Sequence, residues 1–422
     1  MIRKIIGTLS ARIANAFLIL LVVLINARFL GAEKVGTISL IILAITIIQL
    51  VNSFVGGAAL VYLVPRREMV KLFVPSYLWA FLTSLAVAWI LGMLNMIPAG
   101  FFLHVLILSL ILSFGSINLM ILMGQEKIKE YNIITLMQIL SLFLILLAFL
   151  FILSVREISS YIWSLYGSYS LAFILSLFRI RKGLNNFSFT GSKKILKEIF
   201  RYGTVMQLGN IFQFFNYRLS YYFIELFLGR ASLGVYATGV QLSESIWLIA
   251  RSIHLVQYSR ISNEKDDRYA SRLTLNLLKV SIVFTVLCFL MLYGLIVLFF
   301  NFIFKPEFIA IKIIMLILSA GILTFSVSII LSPYFSGSGK PHYNTITAAI
   351  GLAFTLLTGL LLIPHMGLPG AALSASISYT VATVFQLFMF IRISGIKVSD
   401  FILRRSDIKD VYNQMKASFP LK

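Results

Sequence analysis

GTVMQLGNIFQFFNYRLSYYFIELFLG, residues 203–229, decides the reading of the whole chain. It is long and apolar enough to cross a bilayer, which takes about 20 residues. Yet it carries Gln207, Asn210, Gln213, Asn216, Arg218 and Glu225. Polar groups are expensive in hydrocarbon and normally face protein or a water-filled cavity. At about 100° per residue, Gln207, Asn210, Phe214, Arg218, Tyr221 and Glu225 share one helical face, and Gln213 and Asn216 fall off it. The segment is therefore expected to span the membrane with one wet face.

The rest of the chain agrees. Of 422 residues, 59% are hydrophobic and only 12% charged, with mean hydropathy +0.96. A soluble protein is about a quarter charged, so this chain lacks the polar surface to dissolve. Apolar runs predict twelve spans, roughly 9–30, 36–63, 72–95, 101–123, 132–154, 159–178, 204–228, 232–258, 273–300, 309–332, 343–364 and 369–391. No small-residue cleavage site follows a short apolar region, so the first run is expected to be an uncleaved span. Trp79, Trp89, Trp163 and Trp247 fit interfacial anchors. Cys288 stands alone in an apolar run and excludes a disulfide framework.

The net charge of +21 would suggest nucleic acid on a soluble protein. Here the cations sit in short loops between spans. The N-terminus, alternate loops and the tail hold 27 lysines and arginines, and the opposite loops hold 6: Arg28, Lys34, Arg156, Arg230, Lys305 and Lys312. This asymmetry predicts both termini in the cytoplasm, an even span count, and contact with anionic membrane lipids rather than nucleic acid.

The chain also looks duplicated. Phe29-Leu30-Gly31 with Gly36 after span one is echoed by Phe227-Leu228-Gly229 with Gly234 after span seven. Gly124, Lys127 and Tyr131-Asn132 are echoed by Gly337, Lys340 and Tyr343-Asn344. Six spans return the chain to its starting side, which predicts a parallel repeat with a site between its halves. The expected organisation is a six-helix bundle over 1–182, a basic cytoplasmic linker over 183–203, a second bundle over 204–395 and a basic tail over 396–422.

Only Glu225 and Glu244 are carboxylates within spans, beside the cations Arg218, Arg251 and Lys279. Arg218 lies about 21 Å from the inner end of its span and Glu244 about 18 Å from the outer end of the next, so the two are expected to meet at mid-depth. Gln241, Glu244 and Arg251 share a face of span eight. Arg12, Asn15 and Asn26 share one in span one, and Gln49 and Asn52 lie mid-way along span two. Any single Asn or Gln ordinarily makes an interhelical hydrogen bond. Together, spans one, two, seven and eight hold most of the embedded polarity, the pattern expected of a central cavity. The candidate substrate-binding set is Arg218, Glu244, Arg251, Glu225, Asn210, Gln207, Tyr221, Arg12, Asn15, Asn52 and Gln49.

An enzyme is disfavoured. His104, His254, His342 and His365 are scattered without metal-ligand spacing. Gly337-Ser338-Gly339-Lys340-Pro341 lacks the first Gly and the Ser/Thr of a phosphate loop, and reads as a turn. The bare outer loops speak against a membrane glycosyltransferase or polymerase, and no cofactor is expected.

Ala27-Arg28-Phe29-Leu30-Gly31-Ala32-Glu33-Lys34-Val35-Gly36, Leu233-Gly234-Val235-Tyr236 with Leu242-Ser243-Glu244-Ser245-Ile246-Trp247, and Ile363-Pro364-His365-Met366-Gly367-Leu368-Pro369-Gly370 resemble stretches of the bacterial polysaccharide flippases. These Wzx-like O-antigen and capsule exporters belong to the multidrug/oligosaccharidyl-lipid/polysaccharide (MOP, MATE-like) superfamily. The resemblance covers about residues 1–395. It implies an all-α carrier of about twelve transmembrane helices, V-shaped and in two six-helix bundles. Such a carrier moves undecaprenyl-pyrophosphate-linked oligosaccharide across the bacterial inner membrane, with polysaccharide polymerase or assembly proteins as candidate partners. Many relatives carry an Asp shortly after an arginine like Arg218; Ser220 stands there instead. Arginines suit a pyrophosphate, and Asn, Gln and Tyr suit sugar hydroxyls. A cation-coupled multidrug exporter is disfavoured because the first six spans lack embedded acids. A lipid II flippase is disfavoured because those commonly have more than twelve helices.

Overall fold

The computed structural model describes residues 2–181, 192–262 and 266–401. Residues 183–191 of the expected linker and 402–422 of the expected tail lie outside them. All regular structure among the described residues is helical. The helices are α1 (Ile2–Phe29), α2 (Ala32–Gly56), α3 (Ala58–Leu63), α4 (Met69–Met93), α5 (Phe102–Gly124), α6 (Ile128–Leu147), α7 (Ile158–Ile180), α8 (Ser192–Glu244), α9 (Trp247–Ser262), α10 (Asp267–Leu298), α11 (Phe300–Ile303), α12 (Ile311–Gly337) and α13 (His342–Ser394).

Among the described residues, nine helices are long and apolar enough to cross a membrane. One of them, α13, carries two predicted spans on either side of the non-helical Gly367. Spans seven and eight lie in α8 and α9, with the turn between them at Gly229. The protein is thus an all-helical, multi-pass membrane protein, and each of the twelve predicted spans falls largely on helix, with span two broken at Gly57 and span eight at Ser245–Ile246.

The chain divides into two compact units, Met1–Ile211 and Phe212–Lys422. The first includes the start of α8. Ile199 is buried in its core with Leu60, Leu72, Ile117 and Leu122. Phe200 stacks on Phe54 at 5.9 Å, and Gln207 Nε2 donates to the Leu50 carbonyl at 3.1 Å. In this unit α5 is central, packed on α2, α4 and α7. In the second unit α12 holds the equivalent place, packed on α9, α10 and α13.

The sequence echoes are echoes of backbone. Gly31 has φ 89° and ψ 169°, and Gly229 has φ 80° and ψ 176°, a region essentially closed to other residues. After α5 and after α12 the chain turns by the same bonds. Gln125 N–H donates to Ile121 O and Lys127 N–H to Leu122 O. Ser338 N–H donates to Tyr334 O and Lys340 N–H to Phe335 O. The residue inside the turn is left-handed in both copies, Gly339 at φ 72° and Glu126 at φ 59°. Gly337–Pro341 is therefore a turn, as its sequence implies. A left-handed conformation costs a side-chain-bearing residue roughly 1–2 kcal/mol. Glu126→Gly is accordingly expected to stabilise the first unit by about 1 kcal/mol, and Gly339→Ala to destabilise the second by a similar amount. Thermal unfolding of the purified variants in detergent checks both.

Each unit is also laced with polar bonds, because hydrocarbon offers no water to satisfy a buried group. In the first, Asn52 donates to Ser84 Oγ (2.9 Å) and Ser113 Oγ (2.6 Å) and accepts from Thr83, while Ser113 donates to Gln49. In the second, the Asn216 carbonyl oxygen accepts from Thr355 and Ser378, at 2.8 and 2.6 Å. A further set joins Gln386, Ser328 and Asn344.

Candidate functional site

The meeting expected of spans seven and eight is present. Arg218 donates from both terminal guanidinium nitrogens to the two carboxylate oxygens of Glu244, at 2.8 and 2.7 Å. This bidentate fork is the strong form of such a contact. The Arg218 side chain is 23% exposed and that of Glu244 11%. The pair is mostly enclosed, and each partner is costly to leave without the other.

Local sequence places the pair. The α8 helix ends at Glu244, and Ser245 and Ile246 form a turn before α9 starts at Trp247. Ile246 N–H reaches back to Ser243 O and Leu248 N–H to Ser245 O, both three residues back. Ser245 Oγ bonds its own helix at Leu242 O, which competes with continuation of the helix. Glu244 thus stands where span eight breaks, and Arg218 meets it at the negative end of a helix dipole.

Aromatic rings wall the site. Arg218 lies over Tyr221 at 5.3 Å, and Arg251 over Trp247 at 5.6 Å. The Tyr217 ring packs against Trp247, Phe325 and Tyr379. Trp247 is fully buried and donates to the Ile322 carbonyl at 3.0 Å. It is a core residue and not the interfacial anchor expected from sequence, because the break in span eight turns it inward against α12 and α13. The Tyr221 side chain is buried, and its hydroxyl has no hydrogen-bond partner among the described residues. Arg251 is exposed, and no carboxylate pairs with it among the described residues. Two guanidiniums and one carboxylate leave the site cationic.

The other candidates lie apart. Glu225 accepts from Arg230 Nε at 3.0 Å, beside the Gly229 turn. Gln207 is tied to the Leu50 carbonyl and accepts from Asn210, both within the first unit. Asn52 and Gln49 belong to the network among α2, α4 and α5, as interhelical bonding would have them. Arg12 is exposed, and Asn15 Oδ1 is buried without a hydrogen-bond partner among the described residues. Of the sequence-derived set, the structure gathers Arg218, Glu244, Tyr221 and Arg251. It adds Tyr217, Trp247, Phe325 and Tyr379. Tyr217 is adjacent in sequence to Arg218, but it lies off the predicted wet face and so gave no signal.

An uncharacterized membrane protein of Methanocaldococcus jannaschii is 26% identical over 202 residues, 47% of this chain and 40% of that protein. The match thus spans less than half the length of that relative. Among solved structures, the lipid II flippase MurJ in an inward closed conformation superposes with a TM-score of 0.73 at 19% identity, over 95% of this chain and 89% of that one. A multidrug resistance MATE family transporter of the MOP superfamily, inward-facing, gives 0.64 at 14% identity over 93% and 98%. An outward-facing MATE family transporter of that superfamily gives 0.56 at 14% over 93% and 95%. At these identities the likeness is one of fold. The polysaccharide biosynthesis protein family matches residues 25–304, well over half of the sequence. The chain belongs to that family of polysaccharide biosynthesis proteins and has the MurJ/MATE-like fold of the MOP superfamily.

Proposed function

We propose that the protein is a flippase with no chemical step. Its cargo is a polyprenyl-pyrophosphate-linked oligosaccharide, carried by alternating access across a bacterial cytoplasmic membrane, with both chain termini on the cytoplasmic side. The observation that carries this reading is the cationic cluster at the break in span eight. Arg218 is pre-aimed by Glu244, and Arg251, without an acid partner among the described residues, sits over Trp247, against whose ring the neighbouring Tyr217 packs. A pyrophosphate is the part of such a cargo least able to enter hydrocarbon, and the Arg251 guanidinium, with the Arg218 N–H groups that Glu244 leaves over, suits its oxygens. Family membership supports a polysaccharide precursor as cargo. The fold is one in which carriers adopt inward- and outward-facing states. The surplus of positive charge works against a cationic drug as cargo.

Arg251 is the site's most testable member because it is exposed, so its removal leaves packing intact. In proteoliposomes loaded with a polyprenyl-diphosphate-linked oligosaccharide, Arg251→Ala is expected to slow flipping by roughly ten- to a hundredfold, the worth of a charge-assisted hydrogen bond. Arg251→Lys is expected to retain an intermediate rate. Unchanged flipping in Arg251→Ala would remove this residue, and with it the pyrophosphate assignment.

A further inference from the structure

The first unit carries a recess lined by none of the candidate site residues above. It has a volume of about 300 Å³ and is lined by Phe101, His104, Glu157, Ser159 and Trp163 with two isoleucines. That is the low end of the range for small-molecule pockets. It lies between the start of α5 and the start of α7, at the end of the unit that the charge asymmetry places outside.

The walls are a connected aromatic set. His104 packs against Phe101 at 6.2 Å and Tyr166 at 5.9 Å, and Tyr166 packs against Trp163 at 5.3 Å. His104 Nδ1 lies 3.1 Å from the Tyr166 hydroxyl, which fixes the imidazole and leaves its other nitrogen for a ligand. Trp163 is 54% exposed, so its ring is available as a platform. Glu157 is held by Lys34, whose Nζ donates to its Oε1 at 2.7 Å and to the Arg156 carbonyl at 2.8 Å. This pairing neutralises the carboxylate's charge while keeping acceptor capacity at the rim. No side chain caps the first turn of α7, so the N–H groups of Ile158 and Ser159 have no intrahelical acceptor.

These groups amount to a flat apolar platform, a nearly neutral rim, and closely spaced donors and acceptors. That combination fits a sugar ring, whose C–H face is apolar and whose edge is ringed with hydroxyls. An interfacial tryptophan alone would need none of the polar members. We propose that this recess is a saccharide subsite, holding one sugar ring on Trp163 with its hydroxyls bonded to His104, Glu157 and the start of α7. Its occupant, a residue of the carried glycan, rests on the function proposed above; its chemistry does not.

The test is saturation-transfer NMR on the full chain in nanodiscs, with free N-acetylglucosamine, galactose and rhamnose as probes. At least one is expected to receive saturation from the wild type. Trp163→Ala and His104→Gln should each weaken that binding by about tenfold, the loss of one stacking or hydrogen-bonding partner. Arg251→Ala should leave it unchanged. Absence of signal from all three sugars, or full signal in Trp163→Ala, overturns the proposal. Lipids with brominated acyl chains supply the second readout. If they quench the part of the fluorescence that Trp163→Phe removes, the ring lies in lipid and the proposal also falls. Loss of flipping in Arg251→Ala without a saccharide signal in the wild type overturns this inference alone. A saccharide signal with flipping indifferent to Arg251→Ala overturns the pyrophosphate reading alone.

Discussion

Arg218→Ala is expected to abolish flipping and with it surface display of the polysaccharide. Two losses combine in this variant. The first is a guanidinium whose N–H groups not taken by Glu244 can donate to the cargo's phosphates. The second is the partner of Glu244, which would be left enclosed beside aromatic rings with its charge uncompensated. Breaking a buried pair by removing one member costs roughly 3–5 kcal/mol, so the level of folded protein should fall as well. The double variant Arg218→Ala/Glu244→Ala separates the two losses. Removing both charges relieves the uncompensated carboxylate and should restore much of the folded protein, because apolar replacement of a whole buried pair is often nearly neutral. Flipping should stay absent. If protein level and flipping return together, the pair is a structural lock and Arg218 has no part in binding.

Trp247→Ala carries the largest expected cost to stability. The side chain is fully buried, packs on Tyr217, Phe325 and Tyr379 at ring distances of 5.5, 5.0 and 5.6 Å, and bonds the Ile322 carbonyl. Replacing such a side chain with alanine costs about 3–5 kcal/mol through lost contacts and the cavity left behind. It also removes the ring over which Arg251 sits. Thermal unfolding in detergent should show a large drop in midpoint. Trp247→Phe should lose far less, about 1 kcal/mol for the missing hydrogen bond. An alanine variant as stable as the wild type would mean that this aromatic cluster does not organise the second unit.

Much of this was legible in sequence because membranes restrict what a chain can do. Hydrocarbon forces long apolar runs into helices, so twelve runs give their spans directly. The duplicated FLG and the Gly…Lys…Tyr-Asn turns were legible because each encodes a backbone shape that few sequences adopt. Arg218 and Glu244 could be paired from depth alone, since few charges lie that deep. Other features depend on long-range packing. The break after Glu244 has no Gly or Pro to mark it; Ser245 and the burial of Trp247 make it. Helical spacing put Gln207 and Arg218 on one face, but Gln207 is claimed by a carbonyl of α2. Asn52 and Gln49 looked like cavity residues because polarity in a span marks either a wet surface or a polar seam. Only the partners Thr83, Ser84 and Ser113 distinguish the two.

The matching turns at Gly31 and Gly229 imply descent from a single ancestral half. The halves have not kept the same charges. Mid-span ions belong to the later copy, as Arg218, Glu244 and Arg251, while the interior of the earlier copy is stitched with neutral amides and hydroxyls. Duplication supplied a symmetric frame, and drift then divided the labour. The later half took on ions within its spans, while the polar side chains inside the earlier half bond one another without charge.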